Sequence, residues 1–211
     1  VPIEVSFTDG KIIIRDFGKG IHSDDIGPIY GIYGGSTKKN DSTKTGGFGL
    51  GCKAPFAYTD HFEVISHHQG VMTVYAMSKS SAEVSGKPGI TPIMSAPTTS
   101  SGLQVSIKIK NVTDTARFKT LVNTIAYRGD ILVKCNDDLI ETINFTNETN
   151  FMVISELNLN SVICIRYGNV IYPVPNAVDK LEYEQNKIKE LLGNLSNYHI
   201  YNILFQAPAN S

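Results

Sequence analysis

Two glycine-rich stretches carry the residue types and spacings that can do chemistry. The first is DFGKG, residues 16–20. A carboxylate there can accept hydrogen bonds from a purine amino group or from water on a ring nitrogen. Glycines at the next two alternate positions let main chain pass close to a flat ligand. Asp16, Gly18 and Gly20 are therefore candidates for holding a base. Asp-x-Gly-x-Gly is also common in turns, so the motif gains its meaning only in company with a second one.

The second stretch is TGGFGLG, residues 45–51, followed by CKAPF. Repeated glycine removes the cost of left-handed backbone and turns consecutive N–H groups to one side, a concavity suited to phosphate oxygens where it enters a helix. Gly47, Gly49, Leu50 and Gly51 are the phosphate-binding candidates. Lys53, with Lys38, Lys39 or Lys44 from the preceding segment, can add positive charge. Phe48 and Leu50 are expected to anchor the stretch by packing inward. The stretch is neither GxxxxGK[ST] nor GxGxxG, and no Ser or Thr follows Lys53 to hold magnesium, which excludes a Walker or Rossmann assignment.

The elements that must position these residues can be read from pattern. IEVSF and KIIIRD are β-rich segments joined by an Asp-Gly turn, delivering Asp16 to a strand end. SDDIGPIYG predicts a helix with Ser23 as cap and Asp24 and Asp25 in its first turn, or a shorter one opened by Pro28. Residues 34–45 contain no apolar side chain and read as a binding loop or lid. LGCKAPFAYTD predicts a short helix, and HFEVISHH, VMTVYAMS and LQVSIKIK predict strands. Over TDTARFKTLVNTIAYRG, Phe118, Leu121, Val122 and Ile125 form an apolar stripe, with Thr113 or Thr115 as cap and Gly129 as stop. Strand patterns return at DILVKC, DLIETINF, FMVISE, SVICIRYG and NVIYPV. DKLEYEQNKIKELLG predicts a last helix through Leu181, Ile188, Leu191 and Leu192. The mixture is α/β or α+β. A composition shift near Asn111 to Asp114 divides a ligand module, 1–110, from an associated region, 111–211.

The chain has 211 residues, 41% of them hydrophobic, enough for one large core or two small ones. Basic and acidic residues number 19 and 20, and no Lys/Arg run marks a nucleic-acid footprint. No apolar run spans a membrane and no signal peptide opens the chain. Its start without Met, directly in a strand pattern, raises the expectation of a fragment or a processed product. Three cysteines without paired ligand spacing argue against a zinc site or a disulfide framework and fit a reducing cytoplasm. His61, His67 and His68 do not make a metal site, because a strand sends neighbouring side chains to opposite faces.

DFGKGI followed by GGFGLGCKAPFAY resembles the nucleotide motifs of the ATPase superfamily that contains gyrase B, heat-shock chaperones, histidine (sensor) kinases and MutL, the GHKL group. Over residues 12–75 the chain is particularly similar to the rIIA-like proteins of T-even and related bacteriophages. The resemblance implies a two-layer α/β sandwich of the Bergerat ATP-binding type, followed by a smaller helix-and-sheet region, with ATP and magnesium as cofactors. Asp16 matches the adenine-reading aspartate, Gly18 and Gly20 the glycines beneath the nucleotide, Gly47, Gly49 and Gly51 the phosphate loop, and residues 34–46 the lid.

Relatives carry a catalytic Glu and a magnesium-holding Asn on an upstream helix. No matching segment precedes Val1, so the resemblance assigns no catalytic residue and no metal ligand within the chain. A hydroxyl that relatives often place after the glycine of SSGLQVSI is here Leu103, with Ser106 as the substitute candidate. The implied function is ATP binding by a phage protein related to lysis regulators, with hydrolysis when the upstream helix is present. The alternative is a non-hydrolysing, nucleotide-responsive scaffold. The implied partners are nucleotide, a second copy, or a phage or host protein, in the cytoplasm of the infected host or at the periphery of its membrane.

Overall fold

The computed structural model describes residues 1–31, 51–79, 89–143, 151–154, 163–167, 169–174, 187, 190 and 202–206. Expectations for Lys38, Lys39, Lys44, Gly47, Phe48, Gly49 and Leu50, for the lid, and for nearly all of the last helix lie outside the described residues.

Strands β1 (Ile3–Thr8) and β2 (Lys11–Arg15) form a hairpin closed by Asp9 and Gly10 at φ 50° and 69°. Two successive left-handed residues make the turn whose twist matches that of the strands, which is why Asp-Gly sits there. Helix α1 (Ser23–Gly31) comes next, with Pro28 inside it rather than opening it. A 3-10 helix covers Gly51–Ala57. Strands β3 (His61–His68) and β4 (Val71–Ser78) form a second hairpin through Gln69 and Gly70, again both left-handed. Beyond it lie β5 (Gly89–Pro97), β6 (Gly102–Lys108), α2 (Val112–Gly129), β7 (Val133–Cys135) and β8 (Asp138–Leu139).

These eight strands form one sheet in the order β5-β4-β3-β6-β2-β1-β7-β8. Period-two alternation sorts the side chains. Phe62 and Val64 of β3 and Tyr75 and Met77 of β4 pack with Ile26 and Tyr30 of α1 and Phe56 of the 3-10 helix; Leu103, Val105 and Ile107 of β6 join from the same face. The opposite face carries a row set by register, Ile13, Ser106, Glu63, Ala76 and Thr91.

Helix α2 rotates differently from its expected stripe. Phe118 stacks edge-on against Tyr58 with centroids 5.0 Å apart, and the Tyr58 hydroxyl donates to Asp114 Oδ2 at 2.7 Å. With those contacts fixed, Phe118, Val122 and Ala126 turn inward, while Leu121 and Ile125 are 45% and 58% exposed. The helix opens after Asn111, whose carbonyl accepts from Asp114 N–H and whose amide donates to Asp114 Oδ2, so neither Thr113 nor Thr115 is the cap.

The chain divides into two units, 1–126 with 132–141, and 127–131 with 142–211. The boundary falls later than residue 111 because Val133–Cys135 pairs parallel with Ile3–Val5, drawing α2 and the β7–β8 hairpin toward the first sheet's sequence. The second unit holds a four-stranded sheet, β11-β10-β12-β9, from β9 (Phe151–Ile154), β10 (Ile163–Tyr167), β11 (Val170–Pro173) and β12 (Asn202–Gln206). Strand β12, parallel to β10, was not foreseen from the sequence. No described helix is long and apolar enough to cross a membrane.

Candidate nucleotide site

Asp16 extends the ladder one step beyond β2, its N–H donating to the Leu103 carbonyl at 2.9 Å. Its carboxylate then turns back on the backbone. Asp16 Oδ1 accepts from Gly18 N–H at 2.8 Å and from Leu103 N–H at 3.2 Å. Two donors fill the lone-pair directions of that oxygen. Among the described residues Asp16 Oδ2 has no hydrogen-bond partner, and the residue is only half-buried. One carboxylate oxygen is thus structural and the other is available to a ligand.

Glycine is required where backbone crosses backbone here. Gly102 has φ +106°, and a Cβ on it would lie 2.0 Å from the Asp16 carbonyl oxygen. Gly20 has φ +69°, and its Cβ would meet the His67 carbonyl oxygen at 2.3 Å. A Cβ on Gly18 would crowd Asp16 Oδ1 at 3.1 Å. The 16–21 segment is pinned down accordingly. Ser66 Oγ accepts from Ile21 N–H and donates to the Ile21 carbonyl, both at 2.8 Å, and His68 Nδ1 lies 2.7 Å from the Lys19 carbonyl.

Pairing with Leu103, whose side chain packs on the core, sets the Asp16 carboxylate on the helix-covered face. The Tyr30 phenol, 2% exposed, is pushed well above its ordinary range by burial first, then by the charges of Cys52 and Asp16. Under the other side of the loop, His67 lies between Thr98 Oγ1 (3.2 Å from Nδ1) and Arg15 (3.4 Å from Nε2). Burial, and then the Arg15 charge, hold its pKa below the usual histidine range. The neutral ring, donating to Thr98 and accepting from Arg15, fits both contacts.

The structure sets Ser106 on the other face of the sheet from Asp16 and holds Lys53 at the end of α1. Ser106 belongs to the opposite face of the sheet, paired with Ile13 and Glu63, whereas Leu103 and Val105 face the core on Asp16's side. The residue is 6% exposed, its Oγ accepts from Gln104 Nε2 at 3.4 Å, and it lines a cavity of about 290 Å³ with Lys11, Glu63 and Lys108. Lys53 is also turned away from solvent. It is 5% exposed, and its Nζ donates to the Ile29 carbonyl at 2.7 Å, with Cys52 Sγ 3.3 Å away. Helix α1 has no basic residue in its last turn, and Lys53 supplies a cation to those terminal carbonyls. Gly51 opens the 3-10 helix, as a loop-to-helix junction requires.

Two contributors were missed. Ser66 shares the core face of β3 with Phe62 and Val64, and a hydroxyl in that alternation was the available signal. Gly102 was read only as the glycine before the position where relatives place a hydroxyl, and its approach to the Asp16 backbone is what demands the missing side chain. Among the described residues no group of three or more His, Cys, Asp or Glu could hold a metal ion.

No curated protein matches the chain. Residues 1–116, just over half of it, match the family described as "Histidine kinase-, DNA gyrase B-, and HSP90-like ATPase". The matched span runs from β1 into α2 and contains both the Asp16 carboxylate and the glycines that cradle it. The chain belongs to the histidine kinase-, DNA gyrase B- and HSP90-like ATPases, and its first unit is an ATP-binding domain of that family with a mixed α/β fold.

Proposed function

We propose that Asp16 reads the amino group of adenine through Oδ2, while main-chain N–H groups of residues 47–51 receive the phosphates. The observation that carries this is the division of labour within one carboxylate: Oδ1 saturated by two backbone donors, Oδ2 open. A hydrogen bond to an ionised acceptor contributes about 1.5–3 kcal/mol, enough to make the amino group the chief selector of the base. Gly18, Gly20 and Gly102 hold the backbone low enough for a flat ring to approach. The two-layer Bergerat sandwich is part of the same reading, supported by the helices packed on one face of the first sheet.

The protein's role, on this proposal, is that of a nucleotide-operated phage protein related to the rIIA group, acting on lysis timing in the host cytoplasm with a second copy or a phage or host protein as partner. Its support is the sequence IYGIYGGSTKKNDSTKTGGFGLGCKAPFAYTD. Magnesium would supply charge neutralisation at the phosphates, although no group of three or more His, Cys, Asp or Glu among the described residues would hold it.

The test compares this chain with one extended upstream by a helix bearing Glu and Asn, measuring ATP affinity and phosphate release. Binding by both with release only from the extended chain supports an ATPase. Binding without release from either supports a ligand-operated scaffold. Absence of saturable ATP binding refutes the proposal.

A further inference from the structure

We infer that the face of the first sheet away from Asp16 carries a second site, for a small phosphate ester that also bears an amino group. Lys11, Lys108 and Ser106 take the phosphate and Glu63 takes the amine. The site owes nothing to the nucleotide reading. It is the cavity of about 290 Å³ that these residues line together with Ala76 and Thr91. Register explains its shape: Ser106, Glu63, Ala76 and Thr91 stand side by side on β6, β3, β4 and β5, and two residues beyond Ser106 on the same face Lys108 stands opposite Lys11 of β2. Short Ser106 and Ala76 leave room on either side of Glu63.

Charge and donor count say what fits. Like charges directly opposite on neighbouring strands repel, yet Lys11 and Lys108 are placed in that way. The described ion pairs lie elsewhere, His22 with Asp24 and Lys79 with Asp60, and an anion between the two ammonium groups removes the repulsion. Ser106 adds a donor from the floor of the cavity. It is 94% buried, since its relative exposure is 6%, and its Oγ accepts from Gln104 Nε2, but among the described residues its O–H has no acceptor. A hydroxyl proton rotates to suit its partner, and a ligand oxygen supplies one. Glu63 sets the second requirement. Half-buried and paired with Ser106, it makes no ion pair or side-chain hydrogen bond among the described residues, and a plain anion would be repelled by it. Diagonal neighbours such as Glu63 and Lys108 stand about 7–8 Å apart at the backbone, a separation that a ligand with amine and phosphate on a two-carbon spacer bridges.

The probes are 2-aminoethyl phosphate and ethyl phosphate, titrated at constant ionic strength into the 211-residue chain and followed by amide NMR. The expected result is saturable shifts at Glu63, Ser106 and Lys108, with the aminoethyl ester about 3- to 10-fold the tighter of the two. Glu63→Gln should erase that preference. Lys108→Met and Ser106→Ala should each weaken both esters about 3- to 10-fold. The same pair of groups occurs on a lipid headgroup and on a free ester, and co-sedimentation with phosphatidylethanolamine vesicles separates the two sources: retention assigns the headgroup, and its absence with the shifts intact assigns the free ester, either of them in support of the site. No saturable shift at these residues up to about 10 mM, equal affinity of the native chain for the two esters, or a preference that survives Glu63→Gln would overturn the inference. The comparison of esters on the native chain stands whether or not a variant folds.

Discussion

Gly102→Ala tests how the Asp16 carboxylate is built. The new methyl would sit 2.0 Å from the Asp16 carbonyl oxygen and 2.8 Å from both Asp16 C and Phe17 Cα, all backbone atoms that cannot rotate away. Relief requires the segment after β2 to move off β6. That breaks the Asp16 N–H to Leu103 carbonyl bond and the Leu103 N–H to Asp16 Oδ1 bond. Two such bonds contribute about 1–3 kcal/mol together, and left-handed backbone adds about 1–2 kcal/mol for a residue with a Cβ.

The matched control is Gly70→Ala, also left-handed at φ +82° but with nothing within 4 Å of its Cβ. It should lose only the backbone term. By thermal unfolding, Gly70→Ala is expected to melt about 2–8 °C lower and Gly102→Ala about 4–20 °C lower, at about 2–4 °C per kcal/mol for a chain of this size. ATP affinity should fall with Gly102→Ala and hold with Gly70→Ala. Equal melting losses for the two variants would refute the close-approach argument.

Ser66→Ala leaves the Ile21 N–H and carbonyl without their shared partner and should cost about 1–3 kcal/mol in urea unfolding, with weaker nucleotide binding as the loop lifts. Phe118→Ala, which removes the ring stacked on Tyr58, should destabilise by about 2–4 kcal/mol, whereas Ile125→Ala at an exposed position should stay within about 0.5 kcal/mol by the same measurement. His67 gives a pH dependence. Its folded pKa is depressed, so the unfolded chain binds the proton more readily, and His67's contribution to stability is present above the unfolded value and lost as pH falls through and below that value. Melting temperatures between about pH 8 and pH 5 should show the decline, and His67→Gln should flatten part of it.

Local chemistry made much of the first unit legible. Asp9-Gly10 read as a turn and is one, and Gln69-Gly70 closes the second hairpin the same way, because a two-residue hairpin needs left-handed backbone at both positions. Asp16 read as a strand-end carboxylate for the same local reason. Side-chain direction was harder. Lys53 read as a source of positive charge beside the glycine loop, and in the structure its Nζ donates to the Ile29 carbonyl of α1, a contact that no local pattern announces. Ser106 differs from Leu103 by an odd number of positions, and that parity alone sends it to the other face. Ser66 was hidden because a polar residue in an apolar strand is read as the outward member of the alternation. Long-range pairing escaped altogether: β7 joins β1 and β12 joins β10 in parallel, and nothing local in either partner announces the other.

Base preference of Asp16→Asn tests the central claim most directly. Because Oδ1 is held by two backbone N–H donors, an asparagine must keep its oxygen there and present its NH₂ to the ligand. Donor then faces donor for ATP, while the 6-oxo group of inosine triphosphate becomes an acceptor. Calorimetry should show ATP preferred by the native chain, ATP weakened about 10- to 100-fold by Asp16→Asn, and inosine triphosphate the tighter ligand of that variant. Undiminished ATP affinity in Asp16→Asn would contradict the account.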